Sequence, residues 1–197
     1  MGLESNNNSG KKYVTVVAGN LTIRVSAGTQ GAVQRQLTAG DNKGKVVNEL
    51  QFPRLRGMIT KLAYVQKENF GEFVEITVTD DQDYLLQLPW NSGMKTSILT
   101  RLPNVDLSKE VCFNAFADTE KENRNVLLIY QGKTDDGKDK LVPVAYSKDN
   151  PNGMPQAKKT MKLGKPSWDF SEVEEFLYGV LQAAITKVQE LNPPKAE

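Results

Sequence analysis

At 197 residues, with 39% hydrophobic and 25% charged side chains, the chain has an ordinary globular composition and is long enough to bury roughly 70% of the surface its unfolded form exposes, so neither disulfide nor metal is needed for stability. The net charge of +1 argues against a uniformly basic nucleic-acid binder, but residues 1–57 carry eight Lys or Arg against three acids and residues 133–165 eight Lys against four Asp, while 58–132 and 166–197 each hold four more acids than bases. No apolar stretch approaches the roughly 20 residues of a membrane span, and the absence of histidine removes the usual general base, the triad imidazole and the commonest metal ligand together.

Residues 1–54 read as an arm and a hairpin. Met1-Gly2-Leu3-Glu4-Ser5-Asn6 has no charged-then-apolar signal layout, and Asn6 stands where a myristoylation start needs Ser or Thr. With a single cysteine, this leads to an expected cytoplasmic, reducing location. Residues 5–10 are expected to be disordered. Tyr13 to Val17 and Leu21 to Val25 flank Ala18-Gly19-Asn20 and predict a hairpin that extends a neighbouring sheet or stands as a flap. Ser26 to Gly44 is rich in Gly, Gln, Thr and Asn, carries Arg35 and Lys43 without a strong period, and reads as a loop or mobile arm.

Residues 55–147 carry the clearest pattern. Leu55 to Gln66 is a long apolar-rich run, suited to a barrel strand that bends and pairs on both sides. After the polar break Lys67-Glu68-Asn69-Phe70-Gly71, Val74, Ile76 and Val78 alternate with Phe73, Glu75 and Thr77. Asp80-Asp81-Gln82-Asp83 is the next turn, and Tyr84, Leu86 and Leu88 follow at period two until Pro89 stops the strand. Asn91-Ser92-Gly93 opens a short helix over Met94 to Leu102, closed by Pro103-Asn104. Glu110 to Ala117 and Val126 to Tyr130 are a fourth and a fifth strand, separated by the polar loop Asp118 to Asn125. Three strands, a helix and two strands is the element order of an OB-fold barrel, used to bind single-stranded nucleic acid or oligosaccharide. Leu141, Val142, Val144 and Tyr146 suggest an extra edge strand around Pro143.

Residues 148–170 form a basic linker, turn-dense over Asp149 to Pro155 and extended over Ala157 to Lys165. From 171 to 191, Val173, Phe176, Leu177, Val180, Leu181, Ala184, Ile185 and Val188 make an apolar stripe; Asp169 or Ser171 caps the helix, and Ser171 and Glu174 have capping-box spacing. A helix packed on the barrel follows, with partner binding as the alternative use of the stripe. Its acidic excess also suggests a helix able to fold over a binding groove and compete with a polyanion. The expected fold class is mainly β: an OB-fold five-stranded barrel with an N-terminal β-hairpin extension and a C-terminal α-helix.

No catalytic constellation is visible. Cys112, mid-strand between apolar neighbours, reads as core. Asp80, Asp81 and Asp83 would need a further converging carboxylate to hold Mg²⁺, and a turn between strands is where Asp belongs for backbone reasons. With no Gly-rich phosphate loop and no zinc spacing, neither cofactor nor metal is expected. A binding surface remains. A single-strand binder needs aromatic faces for bases, each worth ~1–3 kcal/mol, beside cations that follow the phosphates. The candidate stackers are Tyr64, Phe70, Phe73, Trp90 and Phe116; the candidate cations are Arg54, Arg56, Lys61, Lys67, Lys95, Arg101, Arg124 and Lys133. Phe73 opposes the Val74, Ile76, Val78 face and is the best placed to stack, unless the N-terminal hairpin covers it. Trp90 stacks or plugs the barrel bottom, while Tyr84 and Phe113 share parity with core positions. Arg54 and Arg56 flank one inward residue and therefore point to the same side.

Phe70-Gly71-Glu72, Tyr84-Leu85-Leu86-Gln87-Leu88-Pro89, Arg101-Leu102-Pro103-Asn104-Val105-Asp106-Leu107-Ser108-Lys109 and Asp149-Asn150-Pro151-Asn152-Gly153-Met154-Pro155 resemble segments of the single-stranded DNA-binding proteins of tailed bacteriophages, including gut-bacterial phages. The resemblance implies an OB-fold protein that coats transient single-stranded DNA during phage replication or recombination, in the host cytoplasm, with replication or recombination proteins as partners. Two features depart from it. The Cys and His ligands of zinc-containing phage binders are absent, and Pro193-Pro194-Lys195-Ala196-Glu197 replaces an acidic tail closing on Phe. The alternative is a phage structural or host-interaction module whose barrel binds protein or carbohydrate; a sugar site there would be indifferent to salt.

Overall fold

The protein is described from a computed structural model covering residues 10–38, 42–120, 124–147, 149–162 and 165–193. Apart from Gly10, the segment expected to be disordered lies outside the described residues, as does the end of the chain beyond Pro193. The strands are β1 (Lys12–Val17), β2 (Asn20–Val25), β3 (Val33–Gln36), β4 (Val46–Phe52), β5 (Arg54–Lys67), β6 (Gly71–Thr79), β7 (Asp83–Pro89), β8 (Val111–Asp118), β9 (Arg124–Lys133), β10 (Asp139–Leu141), β11 (Lys158–Lys162) and β12 (Lys165–Asp169). The helices are α1 (Gly93–Leu99) and α2 (Ser171–Leu191), and a 3-10 turn spans Leu102–Asn104.

β5 organises the sheet because it serves two partners. Its first residues, Arg54 to Gly57, pair with β8, and Met58 to Lys67 pair with β6, with a register shift between Ile59 and Lys61 where the strand bends. Gly57 sits at that crossover. A Cβ there would lie 2.5 Å from the Thr79 carbonyl oxygen, so only glycine lets the two backbones approach so closely. β6 continues to β7 and β8 to β9, both antiparallel, as the period-two pattern requires.

The five strands do not close into a ring. Among the described residues β7 gives its free edge to β1, in parallel, with Lys12, Tyr13 and Val14 opposite Tyr84, Leu85 and Leu86. The ten-stranded sheet therefore runs β10-β9-β8-β5-β6-β7-β1-β2-β4-β3 and stays open. This corrects the expected five-stranded barrel, since the sheet has two edges, while the N-terminal hairpin extends the neighbouring sheet, one of its two expected placements. The hairpin tip is wedged against the far side. The Gly19 amide donates to Asn125 Oδ1 at 2.8 Å, and a Cβ on Gly19 would lie 2.3 Å from the Ala117 nitrogen. Gly19 also has φ +75°, so the tip depends on glycine twice over.

Residues 26–44 are not a loop throughout. β3 lies inside that stretch and pairs with β4, which pairs in turn with β2. The Arg35 guanidinium holds the 1%-exposed Glu49 carboxylate in a fork, at 2.9 Å from Nε and 2.6 Å from Nη2. A buried carboxylate must find such a partner, so this pair fixes the register. The extra edge strand is β10, N-terminal to the expected site around Pro143, and the extended part of the linker is a hairpin of β11 and β12.

The core lies between the inner faces of β5 to β9, the two helices and the N-terminal hairpin, with Ile76, Leu86, Leu88, Phe113, Leu127 and Ile129 fully buried. α1 packs on β9 through Ile98 and Leu99. α2 lies on β5 and buries Leu177, Leu181, Ala184 and Val188, one residue per turn. That face is committed to the core, so α2 is not a free arm available to swing over a groove. Of the two expected caps of α2, Asp169 is engaged and the Ser171–Glu174 capping box is not formed. Asp169 Oδ1 accepts from the Ser171 amide at 2.9 Å, while Glu174 turns toward Lys95 on α1. Among the described residues no helix is long and apolar enough to cross a membrane.

Candidate nucleic-acid interface

Pro53 separates β4 from β5 and turns the chain, so the start of β5 faces the layer formed by β1, β2 and β4. Between them is a groove of about 770 Å³. Its floor is apolar, with Val14, Leu21, Ile23, Leu50 and Leu55. Around the floor stand the cations Lys11, Lys12, Arg24, Arg54 and Arg56 against the single acid Asp80, together with the aromatic rings of Tyr13, Phe52 and Tyr84. Tyr13 is 52% and Phe52 41% exposed.

Arg54 and Arg56 lie two apart on β5, as their spacing predicts, and converge on Asp139 of β10, each 3.0 Å from Oδ2. Lys133 of β9 reaches the same carboxylate, 2.6 Å from Oδ1. Hydrogen bonds from Lys133 first, then Arg56, hold the Asp139 carboxyl down at about 2. One negative charge thus gathers three positive ones, leaving an excess of two beside the groove. Arg54 and Lys133 keep 58% of their side chains exposed and Arg56 47%, so all three can turn to a phosphate.

A second group continues from Tyr13. Lys67 Nζ lies 5.3 Å from the Phe73 ring centre and 5.9 Å from that of Tyr13, and pairs with Glu75 at 2.9 Å. Glu75 accepts in turn from Gln87, which also lines the groove. Phe73 is half-buried on β6, opposite Val65 of β5 and Pro89 of β7.

The other expected contacts lie elsewhere. Tyr64 and Trp90 are edge to face at 5.3 Å and both meet Tyr178 of α2, so they form the seam between sheet and helix and not an open stacking platform. Beside Glu72, the Tyr64 hydroxyl is pushed up to about 12. Lys95 is 1% exposed, its Nζ 2.5 Å from Glu174 Oε2 and 4.4 Å from the Trp90 ring centre. It ties α1 to α2 and cannot meet a phosphate. Arg101 donates from Nη1 to the Ser97 carbonyl at 2.8 Å and closes the end of α1, and burial lowers its guanidinium. Arg124 lies over Gly93, where a Cβ would overlap its guanidinium, beside a small pocket of about 140 Å³. Phe70 is 77% exposed in the β5–β6 turn, Phe116 is 39% exposed at the far end of β8, and Lys61 is exposed at the β5 bend.

The acidic turn is occupied by its own neighbours. Asp83 accepts from Thr79 Oγ1 at 2.7 Å and Asp81 from the Tyr84 hydroxyl at 2.9 Å. Among the described residues no three His, Cys, Asp or Glu side chains converge as a metal would need. Cys112 is buried at 2% exposure, and burial pushes its thiol up. Comparison of the chain with known protein families, curated proteins and solved structures gives no match.

Proposed function

We propose that the protein is a non-enzymatic, sequence-tolerant single-stranded DNA-binding protein. The carrying observation is the groove between β1, β2, β4 and the start of β5, with five cations against one acid and three aromatic rings around an apolar floor. Bases have two needs there, a ring to stack on and an apolar surface to leave water for, and phosphates have one, a cation. The groove offers all three, and Arg54, Arg56 and Lys133 extend its positive field. β5 to β9 follow the strand order of an OB-fold, with β1 standing at the edge of β7 where that barrel would close. A role in phage DNA replication or recombination rests on the resemblance of the four segments described above.

Fluorescence anisotropy of a labelled oligo-dT at several salt concentrations, with a duplex of equal length as competitor, tests the reading. Binding should weaken with salt at a log–log slope of roughly −3, from about −0.7 per neutralised phosphate and four or five cations, and the duplex should not displace the oligonucleotide. Arg56→Ala should reduce the magnitude of that slope by about 0.7. Absence of binding at low salt would sink the proposal and leave the groove as a protein or carbohydrate site.

A further inference from the structure

The hairpin of β11 and β12 forms its own two-stranded sheet, apart from the ten-stranded one. Its ladder sets Lys159 opposite Trp168 and Met161 opposite Pro166, so these four share one face. Trp168 is 60% and Met161 69% exposed, although both are residues that proteins normally bury. The opposite face is polar: Lys158 there is paired with Glu172, and Asp169 holds the start of α2. An isolated two-stranded hairpin has little stability of its own. Exposed apolar surface on such an element marks a contact site.

We infer that this face is a second single-stranded DNA contact, separate from the groove, in which a base stacks on Trp168 and Lys159 meets the adjoining phosphate. Directly opposed residues in a ladder have Cβ atoms about 5 Å apart, which places an ammonium beside a ring-stacked nucleotide. Lys159 and Lys165, with Lys158 already balanced by Glu172, outnumber Asp169 and leave the hairpin complementary to a polyanion. An apolar docking segment of a protein would satisfy Trp168 and Met161 but not this charge. Because the hairpin leads directly into α2, which is anchored on β5, a strand held here is tethered to the folded body. The inference rests on the single-strand reading of the groove and names a further subsite of it.

Two measurements on the full chain separate the two sites. In Trp90→Phe, Trp168 is the remaining tryptophan, and titration with oligo-dT should quench its emission. Trp168→Ala should weaken binding by roughly 5- to 150-fold, the range for loss of one stacked base, and Lys159→Gln should reduce the salt slope by about 0.7. Tight oligo-dT binding with unmoved Trp168 emission and unchanged affinity in Trp168→Ala would overturn the hairpin site and leave the groove standing. Unchanged binding in Arg54→Ala/Arg56→Ala, with loss in Trp168→Ala, would do the reverse. No binding by the unaltered chain would overturn both.

Discussion

Asp139 is the residue whose chemistry reaches furthest into the candidate interface. It neutralises part of a field that a phosphate would otherwise use, because Arg54, Arg56 and Lys133 all turn to it. Asp139→Asn should therefore tighten oligo-dT binding several-fold and make the salt slope more negative by about 0.7, measured by the same anisotropy titration. The same carboxylate carries a pH signature. Its carboxyl is held at about 2 by Lys133 and Arg56, below the ~3.9 of an unfolded chain. The depressed value means that its contribution to stability is present above pH ~4 and is lost as the pH falls from there toward 2. Denaturant unfolding at pH 5 and near pH 2.5 should show a larger loss in the wild type than in Asp139→Asn; equal losses would remove the linkage.

Between elements, the Lys95–Glu174 pair decides how α1 meets α2. Lys95 is buried and Glu174 is 37% exposed, so the two ends are not equivalent. Glu174→Gln leaves a buried ammonium without its counter-charge and should cost about 2 kcal/mol, below the range for fully buried pairs because Glu174 is partly solvated. For a chain of this size that lowers Tm by about 4–8 °C in a thermal melt followed by circular dichroism. Lys95→Met removes the buried charge itself and should be much milder. The position of Lys95 was legible: with Ile98, Leu99 and Leu102 it falls at i, i+3, i+4 and i+7, the spacing of one buried helical face. Its charge alone suggests a surface cation, whereas its helical position places it inside. The runs that became β5 to β9 and α2 were likewise legible, since their apolar residues keep one period throughout. β3 and β4 were not, because Val33 and Val46 are exposed and β3 is otherwise polar, so its pairing has no apolar alternation to announce it.

At the scale of the whole molecule, the groove brings together three stretches of the chain, 11–25, 50–56 and 80–87. Period-two patterns say which side chains share a face but not which edge a strand will join, so neither the parallel pairing of β1 with β7 nor the open sheet could be read in advance. The placement of Tyr13, Phe52, Lys11, Lys12 and Arg24 is not legible in the sequence for that reason, although Tyr13 opposes Val14 and Val16 in parity and so signals an outward ring. A chain beginning at Arg54 would lose most of the groove and uncover the β7 edge. It should associate through that edge, eluting as larger species in size-exclusion chromatography, whereas the full chain has β1 in place.

The pairing of β1 with β7 also sets an order of events during folding. Lys12 can meet Tyr84 only after the intervening chain has formed its own hairpins, and such long-range parallel contacts close late because loop entropy is lost before they are gained. The five strands from β5 to β9 can assemble from neighbours in sequence, while the N-terminal strands, first off the ribosome, must wait for them. The groove is thus completed only once β7 is in place, and on the proposed function a chain not yet extended to β7 has no finished surface for a single strand. On that reading, binding competence reports that β1 has found β7.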